Sequence, residues 1–261
     1  TQNHYGMHTF IQDACDGNNI NFQLDKSFQL AQSGGWVKQF FYNITAATTG
    51  PLACWVDFVN AAYDRNLTPV LRLGGTWGDG AWNKPTADSP GNYASMAAAV
   101  RRVVENLPRR DTRRLYIEVW NEPNLNVEWS NAPSPAEYGA FLRDAAAAIR
   151  AIGDPRIVVL NGGLAPGGNY NNLGFIDAMA AVPGAMQAFD LWASHPYPGN
   201  HPPQYNVHNG TARYSVIAID SYVLELQKLA NHGRADISVL FTETGYELGN
   251  NSFGFEGYPP I

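Results

Sequence analysis

Long apolar runs, an excess of basic charge and a supply of cysteines are all missing from this chain, and each gap closes off a class of function. No run approaches the ~20 apolar residues a spanning helix requires, so the sequence reads as soluble. Charged residues make up only 15% and the formal net charge is -6. That leaves no basic field to hold nucleic acid or an anionic membrane, and a neutral partner fits better. Cys15 and Cys54 are the only cysteines. They offer either one disulfide or two buried thiols, and no CxxC or Cys/His spacing suggests zinc.

Nucleotide fingerprints are absent as well. The run Gly162-Gly163-Leu164-Ala165-Pro166-Gly167-Gly168 lacks the GxGxxG order, and no GxxxxGK[ST] occurs. A GxSxG elbow is also missing, which leaves a serine hydrolase on an α/β sheet without its nucleophile. The chain begins with Thr1 and its first strand-like run starts by Tyr5, so any leader is expected to have been removed or left out of this stretch. Sequons at Asn43, Asn66, Asn209 and Asn250 are read as chance in an Asn-rich chain.

What is present is aromatic content and alternation. Aromatics reach 12%, with seven Trp and thirteen Tyr, and such rings suit the mixed polar and apolar faces of sugars. Strand-like runs at Tyr5 to Thr9, Trp36 to Tyr42, Thr68 to Leu73, the run ending at Glu122, Ile157 to Leu160, Phe189 to Ser194 and Ile237 to Leu240 alternate with helical patterns. The helices are expected at Asp25 to Gln32, Pro51 to Asp64, Tyr93 to Asn106, Pro135 to Ile152, Leu173 to Ala181 and Ala212 to Asn231. Ser134, Pro135 and Glu137 form a helix start, and Gly153 a stop. Long loops follow strands while the returns are short, which favours a (β/α)8 barrel with its site at the strand ends over an open sheet. Residues 1–261 are expected to be one such domain, with about seven β/α units encoded.

Two carboxylates stand at strand ends. Ile117-Glu118-Val119-Trp120-Asn121-Glu122-Pro123-Asn124 carries Glu122 where a strand stops, and Phe241-Thr242-Glu243-Thr244-Gly245 carries Glu243 after another. Rigid backbone holding two carboxyls over one cleft can divide acid and nucleophile roles between them. Glu118 shares the strand face of Glu122 and needs a cation such as Lys38 or Arg72 if it points inward. Glu247 ranks as a distant substitute for Glu243, and a surface ion-pair reading of the two carboxylates is disfavoured by the turn formers flanking both.

These two stretches with Ser194-His195-Pro196-Tyr197 make nearly the whole chain resemble a clan A retaining glycoside hydrolase of family 39 or family 5-like flavour. The resemblance implies that Glu122 is the acid/base and Glu243 the nucleophile, that Asn121 binds the sugar 2-hydroxyl, and that Tyr197 or His195 orients the nucleophile. Where the clan has an arginine on strand two this chain has Lys38, and Arg72 on strand three is the substitute. His8, at the first strand end, is a further candidate for the site. Trp77 and Trp129 lead the loop aromatics that can stack on a sugar, ahead of Trp82, Tyr170 and Tyr205.

The resemblance implies a poly- or oligosaccharide substrate, no metal or organic cofactor, and an extracellular or secreted setting. Only 18 residues follow Glu243, too few for the rest of a barrel. The expectation is therefore a fragment, a processed piece, or a chain whose barrel a second chain or copy completes. A glycan-binding or structural protein on a degenerate barrel is the alternative function.

Overall fold

The computed structural model describes residues 3–11, 17–199, 202–204 and 215–246. Strands β1 (Gly6–His8), β2 (Trp36–Phe41), β3 (Thr68–Leu73), β4 (Leu115–Val119) and β5 (Ile157–Asn161) form one parallel sheet in chain order. Between them run helices α1 (Gly17–Ala31), α2 (Ala53–Asp64), α3 (Ala94–Glu105) and α4 (Pro135–Arg150). After α5 (Asn172–Ala180) come β6 (Trp192–Ser194), α6 (Tyr222–Asn231) and β7 (Val239–Phe241), with β6 and β7 paired in parallel.

The join between β5 and β6 is unusual. A single backbone bridge, Leu160 to Leu191, connects them. Side chains supply much of the rest: the buried Asn161 Oδ1 accepts from Ala193 N at 2.7 Å and its Nδ2 donates to Ala193 O at 3.1 Å, while Asp190 Oδ2 accepts from Val159 N at 2.8 Å. An amide side chain here stands in for a missing rung of the ladder. Among the described residues, no strand pairs with the outer edge of β1 or of β7.

Alternation along the strands explains the layering. Val37, Phe41, Leu71, Leu73, Leu115, Ile117, Val119 and Val159 face the helices and join the main core with Phe58, Val100, Val103, Phe141 and Phe175. The intervening residues face the concave side, where Val70, Tyr116, Val158, Leu160 and Ala193 pack with Trp36, Leu191 and Leu240. That inner cluster is apolar at the N-terminal ends of the strands. Its next layer is polar: Arg72 pairs in register with Glu118, and Lys38 follows Trp36 on the same face of β2. A sheet covered on both faces reads as continuous apolar strands, and all five residues of β4 are buried.

The helix start expected at Ser134 holds: its side chain accepts from Glu137 N, with Pro135 in the first turn. Other boundaries move. The first helix runs from Gly17, well before Asp25. The last begins only at Tyr222, so Val216 lies in a bend and Ile219 in a turn before it and not on its apolar face; part of the expected stretch from Ala212 lies outside the described residues. The loop after β3 holds a two-rung antiparallel hairpin, Trp77–Gly78 against Ala81–Trp82. Cys54 is in a disulfide, which overturns the free-thiol alternative, while Cys15 is outside the described residues.

Candidate active site

The turn after β4 is held in an unfavourable backbone shape. Trp120 has φ 80° and Glu122 φ 32°, values that side-chain-bearing residues rarely adopt and that surrounding structure must enforce. Trp120 is buried, its ring packs on Trp129 and Phe141, and its Nε1 donates to Glu128 O at 2.8 Å. Glu122 N donates to Gly163 O at 3.0 Å. Tyr138 from α4 donates to Val119 O and accepts from Gly162 N, clipping the ends of β4 and β5 together. Asn124 fastens the next loop through Ala165 and Tyr170.

Glu243, just past β7, reaches across the concave face to β2 and β3. Its Oε1 lies 3.0 Å from Lys38 Nζ and 2.7 Å from Arg72 Nη1. The Tyr197 hydroxyl donates to its Oε2 at 3.2 Å. Burial would raise the Glu243 pKa, but the charges of His195, Lys38 and Arg72 outweigh it and hold the carboxyl well below the usual range. Tyr197 stays a phenol, because burial and the neighbouring carboxylates push its pKa up.

His195 joins the second carboxylate to the first. Its Nδ1 is 2.9 Å from Glu122 Oε1 and its Nε2 is 3.0 Å from Thr242 Oγ1. Burial opposes a cation, yet Glu243 and the hydrogen bonds to Glu118 and Glu122 raise the His195 pKa to about 9. Thr242 donates to Glu118 Oε1 at 2.8 Å, and the other Glu118 oxygen lies 2.6 Å from Lys38 Nζ. Glu118 is fully buried, and Lys38 and His195 overcome burial to keep it ionised. This is the inward carboxylate with a lysine partner that strand alternation implies.

Gly163 makes room for the imidazole. A Cβ there would stand 2.3 Å from His195 Cδ2 and Nε2. The glycine run that fails as a nucleotide motif thus serves as the wall against which His195 lies.

Asn121 is buried between two partners: its Oδ1 accepts from Arg72 Nη1 at 2.8 Å and its Nδ2 donates to Glu128 Oε1 at 2.9 Å. His8 feels the charges of Lys38 and Glu243, and its Nε2 is buried with no hydrogen-bond partner. Burial and then Lys38 push its pKa down to about 4, so the ring is neutral near pH 7. A cavity of about 320 Å³ lies beside it, lined by His8, Phe10, Phe40, Tyr42, Arg72 and Trp82.

The aromatics divide. Trp77 is 54% exposed and rests edge-on against Trp82 at 5.3 Å, open to a ligand. Trp129 is fully buried and donates to Glu137, so the expectation that it stacks on a sugar is wrong: it belongs to the core that holds the β4 turn. Tyr205 and Glu247 lie outside the described residues. Glu128 was not singled out by sequence reasoning. It sits in a 3-10 turn (Asn126–Glu128), where no periodic pattern marks a side chain as facing the site.

Glu122, His195 and Glu243 each bring one ligand-type atom within 4.8 Å of the other two. The charges argue against a metal ion there. Two cations already contact Glu243, and both His195 nitrogens are engaged with acceptors in the protonated state.

No protein-family model and no curated protein sequence matches this chain. Solved structures do match in fold. A glucosidase from Croceicoccus marinus superposes with a TM-score of 0.61 at 13% identity, over 98% of this chain and 54% of that one. An exo-β-1,4-mannosidase from an Opitutaceae bacterium gives 0.52 at 19% identity, over 94% and 45%. Fungal β-1,4-galactanases give 0.53 at 14% identity, over 88% and 66%. The chain thus spans about half to two thirds of the length of these structures. The fold is the parallel α/β barrel type on which these glycosidases are built.

Proposed function

We propose that this chain is a retaining glycoside hydrolase acting on a poly- or oligosaccharide. The observation that carries this reading is the approach of Glu122 and Glu243, whose nearest ligand atoms, with one from His195, lie within 4.8 Å of one another. Double displacement uses carboxyls about 5–5.5 Å apart, whereas single displacement needs about 6.5–9.5 Å to admit a water. The barrel fold shared with known glycosidases and the position of the site at the strand ends support it.

In this reading Glu243, kept ionised by Lys38, Arg72 and His195, attacks the anomeric carbon. Glu122 gives its proton to the leaving oxygen, and the sugar becomes esterified to Glu243. Glu122 then takes a proton from a water that displaces Glu243 and releases the sugar, restoring both carboxyls. Asn121 holds the 2-hydroxyl, and the aromatic cavity beside His8 and Arg72 takes a sugar ring. The family 39 or family 5-like placement, the extracellular setting and a second chain completing the barrel belong to the same proposal.

A glycan-binding protein without turnover is the second reading. It is favoured by the unpaired outer edges of β1 and β7, which leave the site beside Glu243 open on that side among the described residues. The deciding experiment is NMR of products from a polysaccharide panel incubated with the parent and with Glu243→Ala. Retained anomeric configuration from the parent alone supports hydrolysis. Inverted product sinks the double displacement, and binding without any product moves the assignment to the second reading.

A further inference from the structure

Asn121 has every reason to face one way only. Arg72 carries donors and no acceptor, so the Asn121 amide must turn its oxygen towards Arg72 Nη1, 2.8 Å away. Its nitrogen then meets Glu128 Oε1 at 2.9 Å. An amide nitrogen has two protons, and this bond uses one of them. The other, with one lone pair of the oxygen, is left for a ligand.

Glu128 is fixed from both sides. Its carbonyl accepts from Trp120 Nε1 at 2.8 Å, its N–H donates to Leu125 O at 3.2 Å, and Trp129 beside it is fully buried. The charged groups that face its carboxyl are Arg72 on β3, Glu122 after β4 and Glu243 after β7.

We propose that Glu128 is the positioning residue that holds the nitrogen end of the Asn121 amide while Arg72 holds its oxygen, and that gaining or losing a proton on Glu128 changes how strongly that amide grips the sugar hydroxyl next to the reacting carbon. This rests on the glycosidase reading for its ligand, though not for the Glu128–Asn121 coupling itself. An ionised acceptor makes the stronger hydrogen bond and polarises the free N–H, whereas a neutral carboxyl holds the same orientation with less pull. Burial raises the Glu128 pKa to about 7, with Asn121 and Arg72 opposing and Glu122 and Glu243 adding to the rise. The switch between the two states therefore falls near neutral pH.

The test is a pH titration of the Asn121 side-chain amide by ¹⁵N NMR in the full chain, with the signal assigned by its absence in Asn121→Asp. The expected result is an inflection near pH 7 in the parent that persists in Glu122→Gln and vanishes in Glu128→Gln. A flat amide in the parent, or an inflection surviving in Glu128→Gln, overturns the proposal. Turnover of 4-nitrophenyl glycosides supplies the second readout. Glu128→Gln keeps a neutral acceptor, so its kcat is expected to stay at the parent's low-pH level and lose the limb near 7, and Glu128→Ala loses about a further 10-fold (about 10- to 100-fold in all) through misplacement of Asn121. Equal loss in both variants overturns the orienting role. If the parent cleaves none of these glycosides, the hydrolase reading fails while the amide titration still decides the role of Glu128.

Discussion

His195 points its Nδ1 at Glu122 Oε1 from 2.9 Å, so the imidazole is wired to the proposed acid/base residue while its charge bears on the proposed nucleophile. With Thr242 at its other nitrogen, the ring is held as a cation inside the barrel mouth. The predictions below follow from that wiring and from the ion pairs around it.

The first concerns pH and stability. The folded state raises the His195 pKa to about 9, above its ordinary value of about 6.5. Its contribution is therefore complete below pH ~6.5 and lost as pH climbs through ~9, by roughly 3 kcal/mol. Urea unfolding between pH 6 and 9 should show the parent weakening over this window and His195→Asn changing less. Parallel curves would mean that the imidazole is not a folded-state cation.

The second tests the Lys38–Glu118 pair, 2.6 Å apart and nearly or wholly buried. Removing one partner of a buried pair costs about 3–5 kcal/mol, because the other charge is stranded. Lys38→Met should fall in that range by chemical denaturation. Lys38→Met with Glu118→Leu should recover part of the loss, and a fully additive double variant would contradict the pairing.

Gly163→Ala makes a third case. The added methyl would stand 2.3 Å from the His195 ring, which must move away from Glu122 or Thr242. Far-UV circular dichroism is expected to stay as in the parent. The imidazole should titrate closer to its ordinary value by NMR, and unchanged His195 titration would show that the ring has room the structure does not give it.

The fourth separates the two carboxylates by chemistry. Glu122→Ala retains the nucleophile, so added azide should intercept the glycosyl-enzyme, speed turnover of a 4-nitrophenyl glycoside about tenfold or more, and give a glycosyl azide of retained configuration. Glu243→Ala has lost the nucleophile, and azide attacking directly should give the inverted product. The same stereochemistry from both variants would reverse or remove the assigned roles.

Much of the architecture was legible in the chain, for physical reasons that particular residues illustrate. Strand β3 (Thr68–Leu73) was readable to the residue because an apolar run bounded by turn formers leaves no alternative. The start of α4 was readable because Ser134, Pro135 and Glu137 each solve a helix-end problem. The Lys38–Glu118 contact followed from period-two alternation, since residues that share the concave face meet there, whereas Lys38 and Arg72 beside Glu243 were implied by the family resemblance.

Trp129 and Glu128 show what was not legible. Both lie in one loop, where no repeat tells which side chain turns inward; the structure buries the tryptophan and gives the glutamate to Asn121. The last helix was overextended because Val216 and Ile219 carry helical spacing, but the bends before Tyr222 break it. Glu225 also escaped notice: it is buried on α6 and takes hydrogen bonds from Trp192, Ser194 and Asn172, a partner set assembled from β6 and α5 that only tertiary structure brings together.

The Asn161 amide that bridges β5 to Ala193 has a consequence for stereochemistry. Glu122 follows β4 on one side of this seam and Glu243 follows β7 on the other. In the proposed reaction the gap between the two carboxyls would sort retention from inversion, and the seam it spans is held in part by an asparagine that contacts neither. Lengthening or loosening that one rung would act as a vernier on the reaction, opening space for a water between the carboxyls while every strand kept its neighbours.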